Sequence, residues 1–250
     1  GFVANVAKAS RKDARDAVRA ARKAQPGWAG ATAYNRGQVL YRVAEVLEGR
    51  KAQFVDELVR SEGLSAARAQ QQVEDAIDLW VWHAGWTDKI AQIGGSANPV
   101  AGPYFNLSVP EPTGVVAIVA PQQQGLLGLT SVIAPALVTG NAVVVVPAAS
   151  SPLAAISLGE VLATSDLPGG VVNVLTGDPA ELAPWLAGHA DVNALDLTGA
   201  GGLDWVELEV IAADTLKRVI RPEPGLAPET PQRILALTET KTVWHTKSRL

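Results

Sequence analysis

Apolar residues recur at helical spacing through the first third of the chain. Val39, Val43 and Val46 stand at positions i, i+4 and i+7, which predicts a helix that begins near Thr32. The same reasoning, with Pro-Gly, Glu-Gly and Gly-Gly pairs as stop signals, predicts three further helices. They run from Ser10 to about Gln25, over Phe54 and Leu58 to Glu62-Gly63, and from Ser65 to Gly94-Gly95. We expect residues 10–98 to form a helical layer.

Short, unbroken apolar runs replace this pattern from residue 114 onward. Runs rich in β-branched residues are typical of strands that are buried on both faces of a parallel sheet. Segments of helical length separate successive runs, as in a doubly wound α/β fold with right-handed crossovers. The sequence therefore predicts a five-stranded, parallel, Rossmann-like sheet within residues 114–222, with strands at 114–120, 141–147, 171–175, 194–197 and 217–220.

In two further segments the character of the side chains alternates from one residue to the next, which is typical of antiparallel strands with one solvated face. These segments are an arm strand within residues 102–113, and residues 238–245. We expect these strands to pair with each other and to leave one edge for another subunit. The residues predicted to form that interface are Tyr104, Asn106, Ser108, Thr240, Thr242 and Trp244.

These patterns divide the chain into three parts. A cofactor-type domain is expected over residues 1–222, in which the helical layer and one arm strand precede the sheet. Residues 223–232 are rich in proline and are expected to form a linker. Residues 233–250 are expected to carry the C-terminal oligomerisation strand and a tail.

Composition and charge exclude several kinds of chemistry and partner. The 250 residues include no cysteine, which excludes disulfides, thiolate metal sites and a cysteine nucleophile within the chain. The net charge is −4 and no basic run occurs, which argues against nucleic acid as a partner. Because no apolar stretch is long enough to span a bilayer and no leader pattern opens the sequence, we expect a cytoplasmic protein without membrane contact.

Motifs with their own chemistry are scarce. No GxGxxG pattern follows the first strand of the sheet, so the usual dinucleotide fingerprint is missing. The glycine-rich turn at residues 198–202 is weak evidence, because such a turn is more often a tight connection. The three histidines, His83, His189 and His245, have no metal-ligand spacing, and a structural role is expected for His189. We therefore predict no catalytic residue and no metal site.

Five blocks of sequence, taken together, carry a resemblance. They read GVVAIVAP, GNAVVVVP, LPGGVVNVLTG, DVNALDLTGA and TLKRV, at 114–121, 140–147, 167–177, 191–200 and 215–219. In this order and spacing they closely resemble the aldehyde dehydrogenase superfamily. AGWTDKI (84–90) and KTVWH (241–245) are also similar to family sequence, so the resemblance covers nearly the whole chain. It implies a cofactor-binding domain with an oligomerisation arm, and it implies that the catalytic domain is missing between TLKRV and KTVWH.

Several positions depart from the family pattern. Gln123 stands where the family has an oxyanion-stabilising Asn. Such donors act only when closely aligned with the developing charge, and the Gln side chain is one methylene longer, so we expect the alignment to be lost. Val146 and Ala149 replace the Lys and Glu that hold the adenosine ribose, while Asp204 puts a carboxylate where the pyrophosphate approaches a helix. Pro222 falls at the general-base position unless the register slips by one residue. We therefore expect that this chain binds no cofactor and is not an enzyme on its own, a pseudoenzyme of the family.

The resemblance leads to one main functional hypothesis. The chain is interpreted as a non-catalytic subunit that assembles, through its arm strands, with a full-length catalytic aldehyde dehydrogenase that holds NAD or NADP. A hetero-oligomer follows, because the arm is present and the sheet that receives it in the family is not. One alternative is a ligand-binding regulatory subunit with a remodelled nucleotide or metabolite site. Another, less favoured, is an aldehyde oxidoreductase acting alone.

Overall fold

The computed structural model describes residues 3–222 and 229–247. The elements in chain order are α1 (Arg11–Gly30), α2 (Ala33–Gly49), α3 (Lys51–Glu62), α4 (Ala66–Ala84), α5 (Ile90–Gly94), β1 (Ser96–Ala97), β2 (Tyr104–Pro112), β3 (Val115–Val119), α6 (Gly125–Val138), β4 (Ala142–Val146), α7 (Pro152–Ala163), β5 (Val172–Val174), α8 (Pro179–Gly188), β6 (Ala194–Asp196), α9 (Trp205–Ala213), β7 (Arg218–Ile220), α10 (Pro231–Leu235) and β8 (Thr238–Thr246).

A parallel sheet in the order β5-β4-β3-β6-β7 forms the centre of the fold, which confirms the predicted α/β architecture. Successive residues of a strand point to opposite faces. Val116 and Ile118 accordingly pack in one core with α2, α4, α6 and α7, whereas Val115 and Ala117 pack in a second core with α1 and α8. Both faces are covered, and for this reason the strand sequences are apolar without alternation.

Helix α1 does not end at Pro26-Gly27 as predicted but continues to Gly30 with Pro26 inside it. Pro26 has no N–H, so one helical hydrogen bond is missing there. Tertiary contacts hold the last turn instead. The indole N–H of Trp28 donates to the carbonyl of Leu137 at 3.1 Å, and only 1% of Trp28 is exposed. Burial of this large side chain outweighs the local stop signal.

The prediction of one helix from Ser65 to Gly94-Gly95 is also wrong in one respect, because two helices, α4 and α5, occupy this segment. The chain tightens after α4, where the N–H groups of Trp86 and Thr87 donate to the carbonyls of His83 and Ala84. The Thr87 hydroxyl donates to the Ala84 carbonyl as well, at 2.9 Å. A side-chain donor thus competes with the backbone for a helix-terminal acceptor and helps to end α4.

The two predicted arm strands pair as expected. Strands β2 and β8 form an antiparallel ladder from Tyr104 opposite Thr246 to Pro112 opposite Thr238, and β1 adds to the other edge of β2. Residues 223–228 of the predicted linker lie outside the described residues, and α10 begins at Pro231 within its last positions. Over the described ranges, no helix has the length and apolarity needed to cross a bilayer.

Candidate functional site

The carboxyl ends of β3, β4 and β6 meet at one edge of the parallel sheet, where open α/β folds bind their ligands. The turn after β6 passes closest to the turn after β3. A Cβ on Gly199 would lie 1.8 Å from the carbonyl oxygen of Ala120, and the Gly199 N–H donates to Val119 at 2.9 Å. Only glycine fits this approach. The glycine-rich turn at 198–202 is therefore a tight connection between strand ends.

Gln122 joins the ends of β3 and β4, a role that sequence reasoning missed. Its amide nitrogen donates to the Ala120 carbonyl at 2.8 Å, and its amide oxygen accepts from the Ala149 N–H at 3.1 Å. Gln123, the predicted counterpart of the family Asn, is exposed beside it. A long amide at position 122 can span the two turns, but no local sequence signal identifies which glutamine does so.

The amino end of α6 is satisfied from within the protein. One Glu62 oxygen accepts from the Gly125 N–H at 2.9 Å and from the Ser151 hydroxyl at 3.0 Å. The Gln72 side-chain oxygen accepts from the Leu126 N–H at 3.1 Å. Helix-start amides attract anions, and here a carboxylate from the end of α3 already occupies that place. These partners lie dozens of residues away in sequence and were not predicted.

The other positions singled out from sequence are not brought into one cluster. Val146 is fully buried in the core beneath the strand end, whereas Ala149 is exposed. Asp204 caps α9, because its carboxylate accepts from the Glu207 N–H at 3.1 Å. The capping contact explains why an acid is stable at a helix start. That these positions leave no cofactor site remains a prediction.

A buried ion pair fastens the C-terminal segment to the sheet edge. Arg233 of α10 lies 3.6 Å from the carboxylate of Asp196, and 6% and 1% of the two side chains are exposed. Thr198 connects them, since its hydroxyl accepts from Arg233 at 3.1 Å and donates to Asp196 at 2.5 Å. Burial raises the pKa of Asp196, and the charge of Arg233 opposes that effect. Beside Arg233 lies a pocket of about 310 Å³.

Two of the three histidines have structural partners. His83 is fully buried, and its Nδ1–H donates to the carbonyl of Leu79 at 2.8 Å. Burial, together with the nearby charge of Arg233, lowers the pKa of His83 to about 4, so the folded ring is neutral. His189 Nδ1 accepts from the Asp191 N–H at 3.1 Å. Over the described ranges, no three metal-ligating side chains converge.

The six predicted interface residues share one face of the arm. Asn106 is opposite Trp244 and Ser108 is opposite Thr242, which places these side chains on the same side of the ladder. The Ser108 and Thr242 hydroxyls lie 2.9 Å apart, and the rings of Tyr104 and Trp244 meet edge to face at 5.9 Å. Asn106 is buried, whereas 59% of Trp244 is exposed.

The comparisons with known proteins agree on one family. The profile of the aldehyde dehydrogenase family matches residues 2–220. The chain is 31% identical over 221 residues to aldehyde dehydrogenase, cytosolic 1, of Elephantulus edwardii, and 32% identical over 234 residues to retinal dehydrogenase 2 of Gallus gallus. These alignments cover 87% and 90% of this chain, respectively, and 44% of each relative. A structure of the NAD⁺ complex of an aldehyde dehydrogenase from Bacillus cereus superposes with a TM-score of 0.78 at 26% identity, over 86% of this chain and 43% of that one.

This outcome corrects one prediction. The chain was expected to be a pseudoenzyme, not an enzyme on its own, yet the relatives it matches are named as dehydrogenases. The chain spans less than half of their length, over the NAD-binding half. A missing cysteine in that half cannot classify the protein as inactive, because the family nucleophile is carried by the other domain. With a profile match over most of its residues, the chain belongs to the aldehyde dehydrogenase family.

Proposed function

We propose that this chain assembles, through its arm, with a full-length catalytic aldehyde dehydrogenase subunit that holds NAD or NADP. The observation that carries this proposal is the outer edge of β8. This nine-residue strand ends the arm sheet, and within the described residues its outer side has no neighbouring strand. The outward N–H and C=O groups of alternate residues in this strand form a template for strand addition from another subunit. A cytoplasmic location is part of the same proposal.

The ladder itself indicates which backbone groups are available. The Thr113 N–H donates to the carbonyl of Leu237, and the Lys247 N–H donates to the carbonyl of Pro103, both on the β2 side of the strand. In an antiparallel ladder such positions alternate, so the odd-numbered residues of β8 face β2 and the even-numbered ones face outward. The outward N–H groups are those of Thr240, Trp244 and their even-numbered neighbours. A partner strand would bond to these groups.

The exposed side chains of the arm also support association with another protein subunit. Trp244 projects beside Tyr104 on the face that carries the hydroxyl groups, and both are at least 40% exposed. Aromatic rings with polar neighbours are enriched where proteins associate.

Two matched proline variants test the proposal. Thr242→Pro removes an outward N–H and should abolish co-purification with the catalytic subunit, while the arm stays folded. Val243→Pro removes an inward N–H and should unfold the ladder with β2. Thr242→Val keeps the N–H and should retain the partner. Capture of a cysteine-containing aldehyde dehydrogenase by the wild type and not by Thr242→Pro supports the proposal, whereas equal capture by both contradicts it.

The pocket at the sheet edge favours a second candidate, a ligand-binding regulatory subunit. It has about 310 Å³ and is lined by Thr198, Gln232 and the buried Arg233, among others. A nucleotide or metabolite could bind there, because ligands of open α/β sheets occupy this edge. Calorimetry with NAD, NADP and acyl-CoA tests this function. Binding that Gln232→Ala weakens at this exposed position of the pocket would support it, and no heat at millimolar ligand would argue against it.

A further inference from the structure

A cleft of about 720 Å³ lies between the first turns of α1 and the end of α8. Its walls carry Arg11, Lys12 and Arg15 from one helix, and Trp185 and His189 from the other segment. The volume is that of a small-molecule site and exceeds the space that a single inorganic ion needs. We infer that this cleft binds an organic phosphate, with the phosphate on the α1 cations and the organic body against Trp185.

The cations of this cleft are only partly neutralised. Arg15 pairs with Asp16 at 3.0 Å, and Asp13 takes hydrogen bonds from the N–H and hydroxyl of Ser10. Among the described residues, Arg11 and Lys12 form no ion pair. Because the Ser10–Asp13 capping box already satisfies the start of α1, the attraction for an anion comes from side chains, not from the helix terminus.

The groups on the walls have orientations that suit a phosphate. The Arg11 guanidinium lies 3.6 Å from the centre of the Trp185 ring, which fixes its plane and leaves the N–H groups at its edge free to form a fork. Because His189 Nδ1 accepts a hydrogen bond, the proton of the neutral ring is on Nε2, which can donate. A phosphate monoester has three acceptor oxygens and nearly two negative charges, and it matches these donors better than a carboxylate does.

The organic part of the ligand follows from the apolar wall. Trp185 is 46% exposed although its ring is large, and Pro184 and Ala190 lie beside it in the cleft. Arg11 covers one face of the indole, and the exposed remainder of the ring offers a packing surface for a planar group. AMP therefore serves as the probe that tests both parts, with inorganic phosphate and adenosine as the separate halves.

Calorimetry on the full chain with these three probes tests the inference. AMP should bind, inorganic phosphate should bind more weakly, and adenosine should give no heat. Arg11→Gln with Lys12→Gln should weaken AMP binding about tenfold or more, because charge-assisted hydrogen bonds are lost. Lys12→Gln alone, which leaves the Arg11–Trp185 stack intact, should weaken it by a smaller factor. Arg19→Gln, farther along the same helix and outside this cleft, is the matched control and should bind as the wild type does.

Trp185→Ala removes both the packing surface and the ring that orients Arg11, so it should reduce AMP binding to the level of inorganic phosphate or below. No heat from AMP or phosphate at millimolar concentration would overturn the inference. Equal AMP binding by the wild type and the Arg11→Gln, Lys12→Gln variant would overturn it too, because the nucleotide would then bind elsewhere. Neither result bears on the arm, so the proposed assembly succeeds or fails separately.

Discussion

Gly199 shows how a single residue sets the spacing of the sheet edge. The turn after β6 lies so close to β3 that a Cβ would enter the space of the Ala120 carbonyl. The backbone cannot retreat without breaking the Gly199 hydrogen bond to Val119. Residue identity is therefore fixed by backbone packing at this point and not by a ligand.

Gly199→Ala should lower the free energy of unfolding by about 3 kcal/mol, because an added methyl group forces the two turns apart. Urea denaturation measures the change. Gly201→Ala is the matched control, since a Cβ added to Gly201 would have nothing within 4 Å, and it should change stability by less than about 1 kcal/mol. Equal effects of the two substitutions would contradict the packing argument.

His83 gives the fold a pH dependence at the residue scale. The pKa of this buried ring is lowered to about 4, below the ordinary value of 6.5. The unfolded chain therefore takes up the proton first as the pH falls. The contribution of His83 is complete above about pH 6.5 and should be lost toward pH 4, by up to about 3 kcal/mol.

Chemical denaturation between these pH values tests this expectation. His83→Gln should flatten the decline in stability on acidification, even if it lowers stability throughout. His189→Gln is the matched control for loss of an imidazole from the surface. A decline as steep in His83→Gln as in the wild type would assign the pH dependence to other groups.

At the scale of elements, the arm shows how prolines are accommodated in a strand. Pro110 and Pro112 lie in β2, which has β8 on one side. Even-numbered residues of β2 direct their backbone away from β8, as the bond from the Asn98 N–H to the Asn106 carbonyl indicates. Strand β1 pairs only with Leu107 and Ser108, so no hydrogen bond is lost at either proline.

Tertiary contacts hold the last turn of α1, among them the bond from Trp28 to Leu137 and a bond from Arg36 to the Ala29 carbonyl. Trp28→Phe removes the indole donor from the Leu137 carbonyl, which keeps the Gly140 N–H as a partner, and should therefore cost about 0.5–1.5 kcal/mol. Hydrogen exchange of the amides of residues 27–30 should accelerate. Trp185→Phe changes an exposed indole and should leave exchange in that turn unchanged. Unchanged exchange in Trp28→Phe would show that the turn is stable by itself.

At the scale of the whole molecule, α10 and β8 depend on the sheet for their position. The buried pair of Arg233 and Asp196 connects the two parts, and Ile234 adds apolar packing to the core on the side of α6. An ion pair of this kind is costly to break from one side, because the remaining charge stays buried without compensation.

Arg233→Met should therefore lower the unfolding free energy by about 3–5 kcal/mol near neutral pH. The loss should shrink as the pH falls, since burial already raises the pKa of Asp196 and protonation removes the uncompensated charge. Adding Asp196→Leu should restore much of the stability. Denaturant midpoints across pH measure both effects, and additive losses in the double variant would contradict the coupling.

The sequence by itself determined the parallel sheet, the helical layer and the two arm strands. Burial on both faces leaves unbroken apolar runs such as residues 142–146, and helical spacing is equally local. Tertiary structure alone decided that α1 passes Pro26 and that Glu62 occupies the start of α6. It also formed the cleft between α1 and α8. In these places a contact with a side chain distant in sequence outweighs the local conformational preference. A local sequence pattern cannot predict such a contact, because it contains no information about the distant partner.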